Sequence, residues 1–203
     1  MNLLKYISVP VVALLLTSVG SCSGHGPGNS KNTGTSTSTP SAPVIGTPTQ
    51  QNPAHGLTFS APSSIVSDKQ PTKDKNGKSR INYYITNEDS PIFVDIEYYT
   101  NNSQTASSIL ERDKIDYAAD GAPISPRETT VNGSSNAYTF SWEQSAPPPW
   151  NDKTTEIDLS CRAILADGPS GYSYGIYACS PKGNDRSAEI IQNILESITV
   201  GQS

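Results

Sequence analysis

Histidine is almost missing from this chain, which has only His25 and His55 among its 203 residues. Both precede the first strand that the sequence predicts, so we expect the folded part to contain no imidazole. That absence excludes nucleophilic catalysis by Ser–His or Cys–His pairs and the common histidine-containing zinc sites. Glycine-rich phosphate-binding loops of the standard spacings are also missing. The sequence therefore predicts no catalytic residue, no metal site and no cofactor, in a protein that is not an enzyme.

Charge of either sign is sparse, with 14 Lys and Arg against 19 Asp and Glu and a net charge of −5. This mild acidity argues against a nucleic-acid partner, which would need a basic face. Asp95 and Glu97 alternate along one predicted strand and therefore share a face. Two carboxylates can support glycoside hydrolysis, so a carboxylate-dependent envelope hydrolase stays as an alternative function. A solvated outer face accounts for these two residues better.

The first residues have the pattern of an export signal. One positive charge at Lys5 precedes an apolar stretch over Tyr6–Leu16. That stretch is about 11 to 14 residues long, whereas a membrane-spanning helix needs roughly 20. Val19-Gly20-Ser21-Cys22 follows, and it resembles the lipobox of bacterial lipoproteins. We predict a signal peptide over 1–21 and lipidation of Cys22, although Val19 and Ser21 also suit ordinary cleavage just before Cys22.

Cysteine is scarce as well, with three in the chain. In an exported protein three cysteines leave one unpaired, and a free thiol at the mature N-terminus would be reactive. Lipid on Cys22 removes that thiol, and each buried acyl methylene stabilises attachment by about 0.8 kcal/mol. The expected location is the extracytoplasmic face of the cell membrane or outer membrane, with the lipid bilayer as a partner.

The segment after the lipobox is poor in apolar residues. Ser, Thr, Gly, Pro and Asn dominate 22–55, apart from Val44 and Ile45. Such a segment cannot bury enough surface to offset the entropy lost on ordering, so we expect a disordered linker that contains no site. The composition changes near Gly56, and a single globular domain is predicted over 56–203.

Alternating and helical patterns within 56–203 predict an α+β domain. Asp185 is the expected N-cap of the last helix. Ser108 and Glu111 have capping-box spacing in the first helix, although Thr105 could cap one turn earlier. The predicted strands are Leu57–Pro62, Ile81–Thr86, Ile92–Tyr99 and an aromatic strand at Tyr138–Trp142, and the predicted helices cover about 106–118 and 186–198.

A hairpin is predicted from about Thr154 to Ser180. A turn centred near Ser170 places Ile164 opposite Ile176 and Cys161 opposite Cys179. Opposed cysteines at a non-hydrogen-bonded site are close enough for a disulfide. That bond would stabilise the fold by about 3 kcal/mol and would require an oxidising compartment. The alternative is two reduced cysteines in the core.

Two segments are candidates for binding. In Pro147-Pro148-Pro149-Trp150 the prolines stiffen a connection, so Trp150 with Pro148 and Pro149 is a candidate recognition surface. Alternatively, this loop folds back and Trp150 covers the core. The second candidate is a local excess of positive charge suited to an anionic polymer or lipid head group, for which a solvated loop is the simpler explanation. It comprises Lys69, Lys73, Lys75, Lys78 and Arg80.

Three segments resemble the PsbP-like fold, an antiparallel sheet sandwiched between helices. They are Gly56–Pro62, the Thr130–Gly133 turn before an aromatic strand, and Ile194–Ile198. The chain also resembles the actinobacterial LpqN-type lipoproteins, which share this fold behind a lipobox. The resemblance covers about 57–200 and implies a non-catalytic binding or assembly module, without carrying over any functional residue. We expect a partner among envelope proteins or glycans, and a purely structural surface protein is a further alternative.

Overall fold

The structure is a computed structural model that describes residues 47–74, 77–119 and 121–201. The predicted signal peptide, the lipidation site Cys22 and the linker up to residue 46 lie outside the described residues. Within the described ranges, no helix is long and apolar enough to cross a membrane.

The elements follow the predicted order closely. Strand Ile92–Tyr99 has the predicted bounds, and both helices agree with prediction to within two residues. In the described residues the order is β1 (Pro48–Ala54), β2 (Leu57–Pro62), β3 (Val66–Ser67), β4 (Thr72–Lys73), β5 (Ser79–Ile85), β6 (Ile92–Tyr99), α1 (Ala106–Ala119), β7 (Arg127–Thr129), β8 (Ala137–Ala146), β9 (Ile157–Asp167), a 3-10 turn (Pro169–Gly171), β10 (Ser173–Pro181), α2 (Asp185–Glu196) and β11 (Thr199–Val200).

The main sheet is antiparallel and has eight strands. Its order is β3-β5-β6-β10-β9-β8-β7, with β4 pairing to β5 beside β3. The β9–β10 hairpin has the predicted register, with Ile164 opposite Ile176 and Cys161 opposite Cys179. A disulfide joins those two cysteines. The predicted bridge is therefore confirmed, and it links the two central strands that support the rest of the sheet.

A second, three-stranded sheet corrects the predicted domain boundary. Its order is β1-β2-β11. The expectation that the linker runs to residue 55 is wrong for 48–54, which form β1 and pair antiparallel with β2. The strand is hard to see in the sequence because Pro, Gln and Asn dominate it and only Pro53 is buried. β1 gains its order from pairing with β2 rather than from apolar burial of its own.

Alternation along the central strands gives the main sheet two different faces. On one face, Ile92, Val94 and Ile96 of β6 join α2 and the three-stranded sheet in a continuous apolar core. The intervening Asp95 and Glu97 lie on the opposite face, where Glu97 contacts Arg112 of α1. Helices therefore cover both faces of an antiparallel sheet, which confirms the predicted α+β fold class.

Helix α1 begins on the alternative cap that the sequence offered, Thr105, whereas α2 begins on a different cap from the one expected. Thr105 caps α1, since its hydroxyl accepts from the Ser108 amide at 3.1 Å and its amide donates to the Ser108 hydroxyl at 2.8 Å. Asn184 caps α2 by accepting from the Ser187 amide at 3.0 Å. The prediction of Asp185 as the cap is wrong by one residue. Asp185 is instead the first helical residue, where its negative charge still complements the helix dipole.

Candidate functional site

The face of the main sheet beneath α1 carries a set of charged side chains that we call the ionic cluster. It comprises Lys78, Arg80, Asp95, Glu97, Arg112 and Asp113. Asp95 is only 6% exposed and Glu97 only 1%, so the expectation of a solvated outer face is wrong. Strand alternation identifies a second face in the sequence but does not reveal that a helix covers it.

Glu97 lies at the centre of the ionic cluster. Its Oε1 accepts hydrogen bonds from Lys78 Nζ at 2.8 Å and from Arg80 Nη2 at 2.6 Å. Its Oε2 accepts from the Tyr99 hydroxyl at 3.1 Å and lies 3.2 Å from Arg112 Nη1. Both oxygens are therefore occupied by donors, and the buried negative charge is compensated by three cations.

Arg112 and Asp113 fasten α1 to the sheet, and sequence reasoning missed both. Asp113 Oδ1 lies 2.6 Å from Arg112 Nη2, and its Oδ2 accepts from the Tyr177 hydroxyl at 2.8 Å. The position of Asp113 in the sequence could have indicated its role, because it falls one turn after Ile109 and Leu110 on the buried stripe of α1. A carboxylate on such a stripe requires a buried partner.

Burial and neighbouring charge shift the pKa values of the two strand carboxyls in opposite directions. Burial outweighs the attraction of Arg80 and raises the pKa of Asp95 to about 7. Burial also opposes ionisation of Glu97, but the charges of Arg112, Lys78 and Arg80 lower its pKa to about 2. Catalytic acids and bases are often separated in this way, yet they must touch the substrate. These two carboxyls lie against cations and are almost inaccessible, so they fit a role in stability.

Unpaired polar atoms beside Asp95 agree with its raised pKa. Among the described residues, Arg80 Nε, Asn82 Oδ1 and Asp95 Oδ1 are buried without a hydrogen-bond partner, although Arg80 Nε lies 3.1 Å from Asp95 Oδ1 as an ion pair. Asn82 is directly opposite Asp95 on the β5–β6 ladder. Arg80 favours the ionised carboxyl, but the burial of Asp95 outweighs it, and a protonated carboxyl can itself donate to an acceptor.

The other face of the main sheet carries an open groove of about 800 Å³. Strands β8 and β9 form its base, α2 forms one wall, and the segments 129–132 and 197–199 close one end. Its floor is apolar and consists of Val131, Ile164, Leu195 and Ile198, all of which are buried. Hydroxyl and amide side chains form most of the rim. They include Thr129, Thr130, Asn132, Thr139, Gln192 and Thr199.

The Asn132-Gly133 turn, predicted from the sequence, shapes the closed end of the groove. Asn132 O accepts from the Val200 amide at 2.8 Å, and Gly133 has a φ of 81°. A Cβ on Gly133 would lie 1.7 Å from Val200 O, so only glycine fits there. This close approach of backbone segments holds Val131 in the floor and Asn132 on the rim.

A row of three hydrogen-bonded side chains crosses the rim from β9 to α2. Arg162 Nη1 donates to Gln192 Oε1, and Gln192 Nε2 donates to Glu196 Oε1. Sequence reasoning missed these residues, because nothing local indicates that the exposed side of β9 lies beside the last turns of α2. Their charges balance, so the rim offers donors and acceptors without a strong field of either sign.

The predicted binding loop lies against the domain. Trp150 is 6% exposed and Pro148 is also buried, whereas Pro149 is partly exposed. This placement agrees with the alternative in which Trp150 covers the core, and a binding role for Trp150, Pro148 and Pro149 stays a prediction. The positive segment is divided, since Lys78 and Arg80 turn inward to Glu97. Lys69 and Lys73 are exposed, and Lys75 lies outside the described residues.

His55 belongs to the folded domain, which corrects the expectation that it contains no imidazole. It lies between β1 and β2 with its ring centroid 5.1 Å from that of Tyr172, and its backbone oxygen accepts from the Tyr174 hydroxyl. Cys161 and Cys179 are bonded to each other and offer no thiol nucleophile to this histidine. Within the described ranges, no group of three or more His, Cys, Asp or Glu is placed to hold a metal ion.

Comparison with known proteins shows a weak structural likeness. No protein-family model matches the chain, and no curated protein matches its sequence. The solution structure of cyanobacterial PsbP from Synechocystis sp. PCC 6803 is similar, with a TM-score of 0.48 and 12% sequence identity. The alignment covers 81% of this chain and 99% of that protein. At this level no function carries over, and the lipobox and the LpqN-type resemblance stay predictions.

Proposed function

We propose that this chain is a membrane-anchored, extracytoplasmic binding or assembly module of the cell envelope, without catalytic activity. One observation carries the proposal. The carboxyls best suited to catalysis, Asp95 and Glu97, are buried and held by cations, whereas an open groove lies on the opposite face. A hydrolase would need both carboxyls within reach of its substrate, and both are almost completely buried.

The disulfide supports a location outside the cytoplasm. Cys161 and Cys179 are directly opposed on β9 and β10, so the bond forms as a consequence of the sheet register. Disulfides of this structural kind persist in oxidising compartments and are rare in the cytosol. Together with the lipobox at Val19–Cys22, the bond favours export followed by lipid attachment at Cys22.

Detergent partitioning of a Cys22→Ala variant tests the anchor. The unchanged chain should partition into the detergent phase, and Cys22→Ala should move to the aqueous phase, because the acyl chains are lost. A Cys161→Ala/Cys179→Ala variant is the matched control, since it loses two cysteines but keeps the anchor. The anchor is refuted when Cys22→Ala still partitions with the detergent, or when the control leaves it.

Cross-linking of the full chain in intact envelopes tests the binding role. We expect one or more envelope components to be cross-linked to the unchanged chain in intact envelopes. The same cross-links should disappear when the envelope is first dissolved in detergent and diluted, because the bound partner then dissociates. A soluble fragment used for the same purpose has to begin before Pro48, because β1 is part of the fold. Hydrolysis of envelope glycans by the unchanged chain, abolished in Glu97→Gln, would support the hydrolase instead.

A further inference from the structure

We propose that the groove between α2 and the β8–β9 face binds a neutral saccharide of the cell envelope. This inference rests on the proposed function and names its ligand class. The groove volume of about 800 Å³ lies within the range of small-molecule sites, roughly 300–1,000 Å³. The floor of the site is also rigid, because its residues Ile164, Leu195 and Ile198 belong to the main apolar core.

The division between floor and rim matches the two surfaces of a sugar ring. A pyranose ring presents C–H groups on its faces and hydroxyl groups around its edge. In the groove, the apolar lining side chains are buried, whereas the hydroxyl and amide side chains of the lining are exposed or partly exposed. A ring lying on Ile164 and Leu195 would direct its hydroxyls toward Thr129, Asn132 and Gln192. Each buried hydroxyl then finds a partner, as buried polar groups require.

The rim row supplies paired donors and acceptors at fixed positions. Arg162 is exposed and keeps free guanidinium N–H groups while it donates to Gln192. Gln192 in turn donates to Glu196, whose carboxylate has further acceptor capacity. Planar guanidinium, amide and carboxylate groups can each form two parallel hydrogen bonds, which suits neighbouring hydroxyls on a ring. The mutual hydrogen bonds hold the row in place before a ligand arrives, which lowers the entropy lost on binding.

The same residues disfavour other classes of ligand. An anionic polymer would meet the carboxylate of Glu196 beside Arg162, the single cation of the lining. A nucleic acid would need several cations along its backbone. A fatty acyl chain would cover the hydroxyl and amide rim and leave its hydrogen bonds unmade. An extended peptide is the strongest competitor, because its amides are also neutral donors and acceptors.

Titration of the isotope-labelled full chain, followed by amide chemical shifts, tests the proposal. The probes are chitotriose, maltotriose and mannotriose, with trialanine as the peptide competitor, each raised to about 10 mM so that millimolar affinities are detected. We expect at least one sugar to shift the amides of 129–132 and 192–199 without shifting those of α1. Arg162→Ala should weaken that binding about tenfold, the effect of losing one charge-assisted hydrogen bond. Lys114→Ala, a matched loss of one cation on the exposed side of α1, should leave binding unchanged.

The outcomes separate this inference from the proposed function. The inference is wrong if no sugar shifts the groove amides, if trialanine binds there as tightly, or if Arg162→Ala binds like Lys114→Ala. Gln192→Ala provides a second variant should Arg162→Ala perturb amides far from the groove. An envelope partner cross-linked to a chain that binds no sugar would keep the proposed function and reject the groove. Sugar binding by a chain that is not anchored would keep the groove as a saccharide site and reject the proposed membrane-anchored function.

Discussion

Replacing Glu97 by Gln is the most informative perturbation of this fold. The substitution keeps the size and shape of the side chain but removes the charge at the centre of the ionic cluster. Lys78, Arg80 and Arg112 would then lose their shared negative charge and one of its two acceptor oxygens. The Gln amide nitrogen would also place a donor beside cationic donors. We therefore expect the folded state to lose much of the stabilisation that the ionic cluster provides, including the link from Arg112 of α1 to β6.

The expected loss of stability follows from the burial of the partners. Removing one member of a buried ion pair typically costs about 3–5 kcal/mol, because an uncompensated buried charge remains. Here the carboxylate is 1% exposed, but the side chains of Lys78, Arg80 and Arg112 are 22%, 26% and 36% exposed and can regain water. We therefore expect the lower end of that range, about 3 kcal/mol.

Urea unfolding followed by tryptophan fluorescence measures this loss. Trp142 is a suitable reporter because its ring centroid lies 6.4 Å from that of Tyr177, whose hydroxyl accepts a hydrogen bond from Arg112. The matched control is Glu88→Gln, where the same change falls on a side chain that is 93% exposed and 4.0 Å from Lys153. An exposed pair of this kind contributes about 0–1 kcal/mol. A Glu97→Gln loss below about 1 kcal/mol, or one equal to that of the control, would refute the reasoning.

The same carboxylate predicts a dependence on pH. The pKa of Glu97 is lowered in the folded state, so its stabilisation is complete above its ordinary pKa and is lost as the pH falls toward about 2. Glu97→Gln removes the titrating group. The variant should therefore lose less stability than the unchanged chain between about pH 5 and about pH 3. Equal losses in the two chains would show that folding does not lower the pKa of Glu97.

Three further experiments test Asp95, the disulfide and the cap of α2. Because burial raises the pKa of Asp95 to about 7, stability should fall as the pH rises from about 4 to about 7, and Asp95→Asn should flatten that fall in urea titrations. Reduction of the Cys161–Cys179 bond, 18 residues apart, should lower the free energy of unfolding by about 3 kcal/mol in matched denaturation curves with and without reductant. Asn184→Ala should cost about 1 kcal/mol in thermal unfolding and Asp185→Ala less, because Asn184 caps α2.

The parts of the fold that the sequence predicts are those governed by local rules. The register of β9 and β10 follows from a short turn and from two cysteines that must meet, and both conditions give the same alignment. The stripe of Ile191, Ile194 and Leu195 defines α2 because a helix needs one apolar face. In each case residues close together in the sequence are enough to predict the structure.

The parts that the sequence does not predict depend on what packs against an element. Pro48–Ala54 has the composition of a linker and becomes a strand only because β2 pairs with it. Asp95 and Glu97 have the alternation of a solvated face, yet both are buried, Asp95 against Arg80 of β5 and Glu97 against Arg112 of α1. Arg162 lies near Gln192 only because α2 crosses beside β9. Tertiary contacts decide all three, and the composition of each segment alone does not indicate what it contacts.

The two helices are held by different forces, and this difference has a consequence for function. α2 docks through buried Ile190, Ile191, Ile194 and Leu195, a contact that salt does not weaken. α1 has the charged Asp113 in the middle of its buried stripe, so part of its docking is electrostatic. Glu97→Gln should therefore speed amide hydrogen exchange in α1 more than in α2. Because the groove is built on α2, sugar binding should survive that substitution, whereas a function requiring the α1 face would be lost with it.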